Sequence, residues 1–252
     1  MLLSVTPTNY CAKEPRCPYC YLSQRAQETS FEVLSKQMKE LIELHQPEVV
    51  TFAYNQGYSP ELFGILLEKA SRTAKVAVTL QPECNSLFGK DILPMIDYVA
   101  FSYNTSNYQM AKLDLLASEL RLKKPNLKIG INFLMYELPQ LQELFDFFRT
   151  YQKFFEQFHF LIPKLYQLPY ALKEVVIIVK TLKMFFPKQV FIDECLQTVI
   201  TRTPCSREGK LLSLNADASV TKCSFASLED QKSVVERCPY LVERSLAGLA
   251  FL

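Results

Sequence analysis

The residues in this sequence with the strongest capacity for chemistry are its eight cysteines, which fall into separate groups. Cys11, Cys17 and Cys20 lie close together near the N-terminus, and Cys84 stands alone. The other four lie in the last quarter of the chain: Cys195, Cys205, Cys223 and Cys238. Such grouping favours metal or redox chemistry over a disulfide framework. We therefore expect two metal sites, the first of which lacks one ligand of a closed four-ligand shell.

The composition excludes several other classes of protein. Lys and Arg total 28 against 26 Asp and Glu, so the formal charge of +2 provides no broad basic surface for nucleic acid. Two histidines, His45 and His159, are too few for a His-rich zinc site or a Ser-His-Asp triad. The chain has six glycines and contains neither a Walker A loop nor a G-x-G-x-x-G motif. No apolar run has the length of a membrane span, and the N-terminus lacks the pattern of a signal peptide, so we expect a cytoplasmic protein without membrane contact.

Between the two cysteine groups, strand-like and helix-like patterns alternate along the chain. Six strands are predicted at 2–6, 48–54, 75–80, 98–102, 127–135 and 158–162. Helices are predicted at about 31–45, 60–73, 91–96, 107–122, 139–155 and 171–186. Repeated strand–helix units indicate parallel strands joined by right-handed crossovers. Several strands are apolar on both faces, which fits an open doubly wound sheet or a partly closed barrel, and periodicity leaves both arrangements open.

Local signals place the ends of some elements. The Thr29-x-x-Glu32 pattern predicts a capping box for the first helix, and Ser59-Pro60 predicts an N-cap followed by a first-turn proline. After 186 the pattern changes: 189–192 is predicted as one more strand, and 211–214 pairs with 219–222 as a hairpin. We expect one domain at 1–188 and a smaller cysteine-rich region at 189–252.

The first cysteine loop resembles a known family. The segment Cys11-Ala-Lys-Glu-Pro-Arg-Cys17-Pro-Tyr-Cys20 follows the first strand of an α/β repeat, as does the cluster loop of radical S-adenosylmethionine (SAM) enzymes. Its C-x5-C-x2-C spacing is longer than the common C-x3-C-x2-C. The resemblance implies an α/β fold: a partial (β/α)6 TIM-like barrel with a small C-terminal cysteine-rich twitch-like appendage. It also implies that Cys11, Cys17 and Cys20 are the catalytic cluster ligands, holding a [4Fe–4S] cluster whose fourth iron binds SAM. A zinc-knuckle loop is the alternative.

The same resemblance implies which residues contact SAM. An aromatic residue before the last cysteine packs near the adenine, and the ends of the second, fourth and fifth strands supply polar groups. The cofactor-binding residues expected on this basis are Tyr19, Tyr54, Asn55, Gln56, Gly57, Ser102, Asn104 and Asn132. Around Tyr54–Gly57 we expect backbone carbonyls rather than side chains to bind. His159 is expected to be a structural histidine rather than a catalyst.

The C-terminal cysteines resemble the auxiliary-cluster region of SPASM/twitch radical SAM enzymes. There, a hairpin and flanking cysteines bind an extra [4Fe–4S] cluster, which implies that Cys195, Cys205, Cys223 and Cys238 hold a second one. A zinc ion held by the same four thiolates is the alternative. Cys84 is expected to be a free or buried thiol, with a radical-quenching thiol as the alternative.

The resemblance implies an enzyme that reductively cleaves SAM to a 5′-deoxyadenosyl radical, which abstracts hydrogen from a substrate. The expected substrate is a ribosomally made peptide that undergoes post-translational modification. Two alternatives are a radical SAM enzyme of small-molecule or cofactor maturation and a non-catalytic iron–sulfur or zinc-binding protein on the same fold. Expected partners are an electron donor such as flavodoxin or ferredoxin and, because the chain begins near its first cluster loop, a separate leader-peptide-binding protein.

Overall fold

The computed structural model of the chain describes residues 1–13, 17, 20, 28–89, 91–103, 113–162, 169–193, 196–197 and 210–222. In these ranges, nine strands form one sheet that is covered by five α-helices. None of these helices combines the length and the apolarity that crossing a bilayer requires.

The elements follow the predicted alternation. The strands are β1 (Leu2–Val5), β2 (Val49–Ala53), β3 (Lys75–Leu80), β4 (Tyr98–Tyr103), β5 (Lys128–Leu134), β6 (Gln157–Leu161), β7 (Val190–Ile192), β8 (Leu211–Leu214) and β9 (Val220–Thr221). The helices are α1 (Phe31–His45), α2 (Pro60–Ser71), α3 (Leu113–Lys123), α4 (Leu141–Tyr151) and α5 (Leu172–Phe185). Two short 3-10 helices lie between β3 and β4, at Pro82–Leu87 and Leu93–Met95.

The order of the strands distinguishes between the two arrangements that periodicity left open. The sheet runs β7-β6-β5-β4-β3-β2-β1-β8-β9, and every pair is parallel except the β8–β9 hairpin. From β1 to β7 each strand lies beside its predecessor in the chain, so right-handed crossovers carry the connecting helices to the same face. A doubly wound sheet would reverse its order and place helices on both faces. The protein therefore has the expected partial barrel, an open and mostly parallel α/β sheet.

The helix-covered face of the sheet is packed with aromatic and aliphatic side chains. The Phe52 ring of β2 lies 5.6 Å from that of Phe63 in α2, and the Phe158 ring of β6 lies 4.4 Å from that of Phe148 in α4. All four phenylalanines are buried. Burial of a large side chain of this kind contributes about 1.5–3 kcal/mol, so this face provides the main hydrophobic stabilisation of the fold.

The opposite face, which we call the inner face, has a different character. Because side chains alternate along a strand, it carries the residues between the buried ones. Most of these are small or polar and half-buried: Ser4, Thr51, Ala53, Ala77, Thr79, Ser102, Asn132 and His159. The expectation that several strands are apolar on both faces was wrong for these positions. A barrel interior that remains partly open accepts polar side chains, which a second helical layer would bury.

The C-terminal hairpin joins the sheet beside its first strand. Leu3 pairs with Val50 of β2 on one edge of β1 and with Leu212 of β8 on the other. The Thr6 N–H donates to the Leu214 carbonyl at 2.9 Å and extends this pairing past the end of β1. The predicted hairpin is thereby confirmed, as is the strand at β7. The domain boundary at 188/189 stays a prediction.

Two predictions about helix ends were wrong in detail. The N-cap of α1 is Ser30, whose hydroxyl accepts from the Val33 N–H at 3.4 Å, whereas Thr29 uses its own N–H to bond the Ala216 carbonyl. The helix predicted at 91–96 is reduced to the 3-10 turn at Leu93–Met95. In contrast, the Ser59 cap of α2 is confirmed by a 3.2 Å bond from the Leu62 N–H.

We expect Gly130→Ala to destabilise the protein. A Cβ at this position would overlap the Tyr98 hydroxyl and lie 2.9 Å from the backbone oxygen of Gln157, which cannot move without disturbing the β5–β6 pairing. Overpacking of this kind lowers the free energy of unfolding by about 1–3 kcal/mol. Denaturant unfolding measures the change. Gly89→Ala, where no atom lies within 4 Å of the added Cβ, is the matched control, and equal stability of the two variants would contradict the expectation.

Candidate functional site

The first cysteine loop begins where several parallel strands end. β1, β2, β3 and β8 run in the same direction, so the segments that follow them emerge at one edge of the sheet. Binding sites of parallel α/β proteins lie at this carboxyl edge because the connecting loops meet there. The loop after β1 carries Cys11, Cys17 and Cys20, which we call the cysteine trio.

A single carboxylate holds the start of this loop. Glu28 accepts hydrogen bonds from the Thr8 hydroxyl at 2.7 Å, from the Tyr10 N–H at 3.0 Å and from the Asn9 N–H. On the other side, the Asn55 side-chain amide after β2 donates to the Thr8 carbonyl at 2.9 Å. Charge-assisted bonds to consecutive backbone groups fix the path of the chain just before the first cysteine.

A close approach of two backbones then sets the position of Cys11. The neighbouring Ala12 N–H donates to the Gln56 carbonyl at 2.7 Å. The next residue, Gly57, has a φ of 90°. A Cβ there would lie 2.8 Å from the Cβ of Ala12 and 3.1 Å from the Tyr10 ring. Both the left-handed backbone and the lack of space require glycine at this position.

None of the three thiols of the trio is in a disulfide bond, and all three residues are half-buried. The Cys20 N–H donates to the Cys17 carbonyl at 3.0 Å. The Gln81 amide, just after β3, donates to the Cys17 sulfur at 3.9 Å. In the described ranges, no three His, Cys, Asp or Glu side chains converge on a position for a single metal ion. A cubane has its protein sulfurs on separate irons, so three accessible thiols on one loop fit a [4Fe–4S] cluster with one iron free of protein ligands.

Cys84 lies on the first 3-10 helix and is only 5% exposed. Burial raises the pKa of its thiol to about 11, with smaller contributions from the charges of Glu83 and Cys11. Its N–H bonds the Gln81 backbone oxygen, and the Gln81 side chain contacts the Cys17 sulfur, so this isolated cysteine lies near the trio. The expectation of a buried free thiol agrees with its surroundings.

The residues predicted after β2 use their side chains within the protein. Tyr54 is buried against the Phe63 ring at 4.8 Å and donates its hydroxyl to the Tyr58 carbonyl at 2.8 Å. Burial raises the pKa of Tyr54 and raises that of Tyr58 to about 12, so both phenols are neutral at physiological pH. The Asn55 side chain is likewise bonded within the protein, to the start of the cysteine loop, whereas Gln56 is exposed.

Two of the predicted polar residues lie on neighbouring strands of the inner face. Ser102 and Asn132 are paired in register across β4 and β5, and both are half-buried. Asn132 extends over β4 and donates its amide to the Thr79 hydroxyl at 3.3 Å. The small side chain of Ala100, opposite Thr79 in the sheet, leaves room for this contact. Asn132 therefore points inward, as expected.

His159 is integrated into the wall of the inner face. Its ring stacks on Phe191 of β7 with centroids 5.2 Å apart, and its Nε2 lies 3.2 Å from the Gln157 side-chain oxygen. These contacts support the interpretation of a structural histidine.

Some predicted site residues lie outside the described ranges: Tyr19, Asn104, Cys195, Cys205, Cys223 and Cys238. Conversely, sequence reasoning missed Glu28, Thr79 and Gln81. Thr79 alternates with the apolar residues of β3 and Gln81 directly follows that strand, which was a usable signal. Nothing in the sequence around Glu28 indicates its contacts with the chain before Cys11.

Gly57→Ala is expected to loosen the start of the cysteine loop. A side chain at φ 90° and a contact of 2.8 Å both oppose the native backbone, and left-handed geometry alone costs about 1–2 kcal/mol for a residue with a Cβ. Thermal unfolding measures the loss. The matched control is Gly64→Ala in α2, where the nearest atom lies 3.8 Å from the added Cβ. Alanine has the higher helix propensity, so this substitution should stabilise the helix. A Gly57→Ala protein as stable as the control would refute the steric argument.

Alkylation of Cys84 in the metal-free protein should depend steeply on pH. Because only the thiolate reacts and the pKa is about 11, the rate should rise about tenfold per pH unit between pH 8 and 10. Mass spectrometry of iodoacetamide-treated peptides at each pH measures the rate, with Cys17 as the internal reference. A rate that levels off by about pH 10 would show that the thiol has an ordinary pKa.

Comparison with known proteins adds evidence from structure alone. No protein-family model matches the sequence, and no curated protein sequence does so either. Streptococcus suis SuiB bound to S-adenosylmethionine superposes with a TM-score of 0.70 at 10% identity over 96% of this chain. SuiB bound to its precursor peptide SuiA gives 0.69 at 10% identity, also over 96% of this chain. The chain spans 62% and 64% of these two SuiB chains, respectively.

A second protein shows the same likeness. Native anSMEcpe with bound AdoMet and the Cp18Cys peptide has a TM-score of 0.55 at 17% identity, over 96% of this chain and 82% of that one. At such low identity the shared property is the architecture: this chain has the open, mostly parallel α/β fold of SAM-bound SuiB and AdoMet-bound anSMEcpe.

Proposed function

We propose that this protein is a radical SAM enzyme. The observation that carries the proposal is the position of the cysteine trio: three cysteines lie on the loop after β1, at the carboxyl edge of a fold shared with SAM-bound SuiB and AdoMet-bound anSMEcpe. Cys11, Cys17 and Cys20 would hold a [4Fe–4S] cluster. Once bound and reduced, the cluster would supply the electron that divides SAM into methionine and a 5′-deoxyadenosyl radical.

The residues around the trio have distinct tasks in this proposal. Glu28 and Asn55 fix the start of the loop, and backbone groups of 54–57 face the bound SAM. Ser102 and Asn132 supply polar contacts on the inner face. Tyr19 and Asn104 are assigned to SAM by the family resemblance.

A peptide is the proposed substrate class. SuiB was captured with its precursor peptide and anSMEcpe with the Cp18Cys peptide, which supports a peptide for this chain as well. The half-buried polar residues of the inner face suit a substrate with amide groups, because they offer hydrogen bonds without a charged partner. Electrons would come from a flavodoxin or ferredoxin.

We further propose that the C-terminal cysteines bind a second [4Fe–4S] cluster. Four thiolates, from Cys195, Cys205, Cys223 and Cys238, would close its shell and favour electron transfer. The β8–β9 hairpin lies beside β1, and Cys223 follows its second strand in the sequence, which supports a cysteine-rich region next to the first strand.

Reconstituted protein should hold about eight irons, four in each cluster, and release 5′-deoxyadenosine from SAM with a strong reductant.

Cys17→Ala should abolish this release because it removes a ligand of the SAM-binding cluster. Cys223→Ala should retain cleavage but block modification of the substrate. Iron and sulfide assays, electron paramagnetic resonance (EPR) and chromatography of the nucleoside measure these outcomes.

Cys84→Ala is the control, since it removes one thiol near the trio without removing a proposed ligand, and it should cleave SAM at the wild-type rate. Loss of cleavage in this variant would assign Cys84 a role in the reaction. Zinc in place of iron at the trio, or SAM cleavage retained in Cys17→Ala, would refute the proposed function. A total of about four irons would remove only the second cluster.

A further inference from the structure

Gln81 occupies an unusual position beside the trio. It is the first residue after β3, and its backbone oxygen accepts the Cys84 N–H at 2.9 Å, which anchors the following 3-10 helix. Its side chain is directed toward the cysteine loop, where its Nε2 donates to the Cys17 sulfur at 3.9 Å. The two residues are far apart in sequence, so the contact is made by the fold rather than by a local turn.

The other half of the same amide has no partner. The Gln81 Oε1 atom is buried, and no group of the described residues donates to it. Buried amide oxygens in native proteins are almost always hydrogen-bonded, so an orphaned one beside a binding loop calls for a donor from outside the protein. The Thr79 hydroxyl, two residues earlier on the same face, accepts a hydrogen bond from Asn132 and makes none with the Gln81 Oε1 atom.

The bond to sulfur has a definite electrostatic consequence. A donor directed at a cluster thiolate stabilises negative charge, and the cluster becomes one charge more negative on reduction. The bond is therefore stronger in the reduced state and makes the cluster easier to reduce. Hydrogen bonds to cluster sulfurs are among the determinants of reduction potential in iron–sulfur proteins.

We propose that Gln81 is a positioning residue that links the cluster loop to bound SAM. Its N–H bonds the Cys17 thiolate and raises the reduction potential of the cluster, while its Oε1 accepts a hydrogen bond from a donor of SAM, the ammonium group or a hydroxyl. This role rests on the proposed function, because it requires a cluster at the trio.

Two substitutions of Gln81 and one control substitution test the two halves of the amide separately. Gln81→Met keeps the length of the side chain and removes both the donor and the acceptor. Gln81→Glu keeps an acceptor and removes the donor. Gln142→Met, at an exposed position of α4 away from the site, is the matched control for the loss of an amide. Iron and sulfide content establishes that each variant is loaded to the same extent.

The measurements are the midpoint potential of the cluster and its affinity for SAM. The relevant cluster is identified as the one whose EPR signal changes when SAM is added. In Gln81→Met and Gln81→Glu, the equilibrium constant for reduction should fall about tenfold, a shift of about 59 mV to lower potential. SAM should bind about tenfold more weakly to Gln81→Met, whereas Gln81→Glu should retain most of the affinity. Gln142→Met should match the wild type in both quantities.

The outcomes distinguish this inference from the function on which it rests. A wild-type protein without a SAM-responsive cluster refutes the proposed function before any variant is compared. A wild type that has such a cluster, with Gln81→Met equal to it in either potential or SAM affinity, refutes the role of Gln81 and leaves the proposed function in place.

Discussion

The arrangement of the site depends on the pairing of β1 with a parallel strand on each side. This strand has only four residues, yet β2 and β8 hydrogen-bond to its two edges, and Leu3 and Val5 are fully buried on its helix-covered face. Its direction is therefore fixed from both sides. The loop that follows must leave at the carboxyl edge, next to the ends of β2 and β8. The location of the cysteine trio follows from this pairing, whatever the detailed path of the loop.

Much of the fold could be predicted because its signals are local. Runs such as Val49–Ala53 and Lys75–Leu80 are rich in β-branched residues, and Ser59 followed by Pro60 is a helix start that needs no tertiary information. The choice of Ser30 over Thr29 as N-cap was missed, because Thr29 is held by the Ala216 carbonyl of the distant hairpin turn. The pairing of β8 with β1 has the same origin: it joins opposite ends of the chain, and no local pattern specifies it.

The candidate site also combines features with local sequence signals and features that depend on distant contacts. The trio is visible in the sequence because a cluster loop gathers its ligands within a few residues of each other. The contacts that Glu28 and Gln81 make with the loop are not visible, since they join groups that are distant in sequence and near only after folding. Tyr54 shows the converse case. Its position in sequence suggested contact with SAM, but its ring is part of the core against Phe63, and only its backbone remains available.

The two faces of the sheet explain how so little sequence identity accompanies so similar a fold. The helix-covered face needs only large apolar side chains of suitable volume, and cores tolerate many combinations of these. The inner face carries small and polar residues such as Thr51 and Ser102, which contribute little to hydrophobic stabilisation. Neither face requires particular residues at most positions. Two chains can therefore share a TM-score of 0.70 at 10% identity, and the constraints on sequence concentrate in the few contacts that hold the cysteine loop.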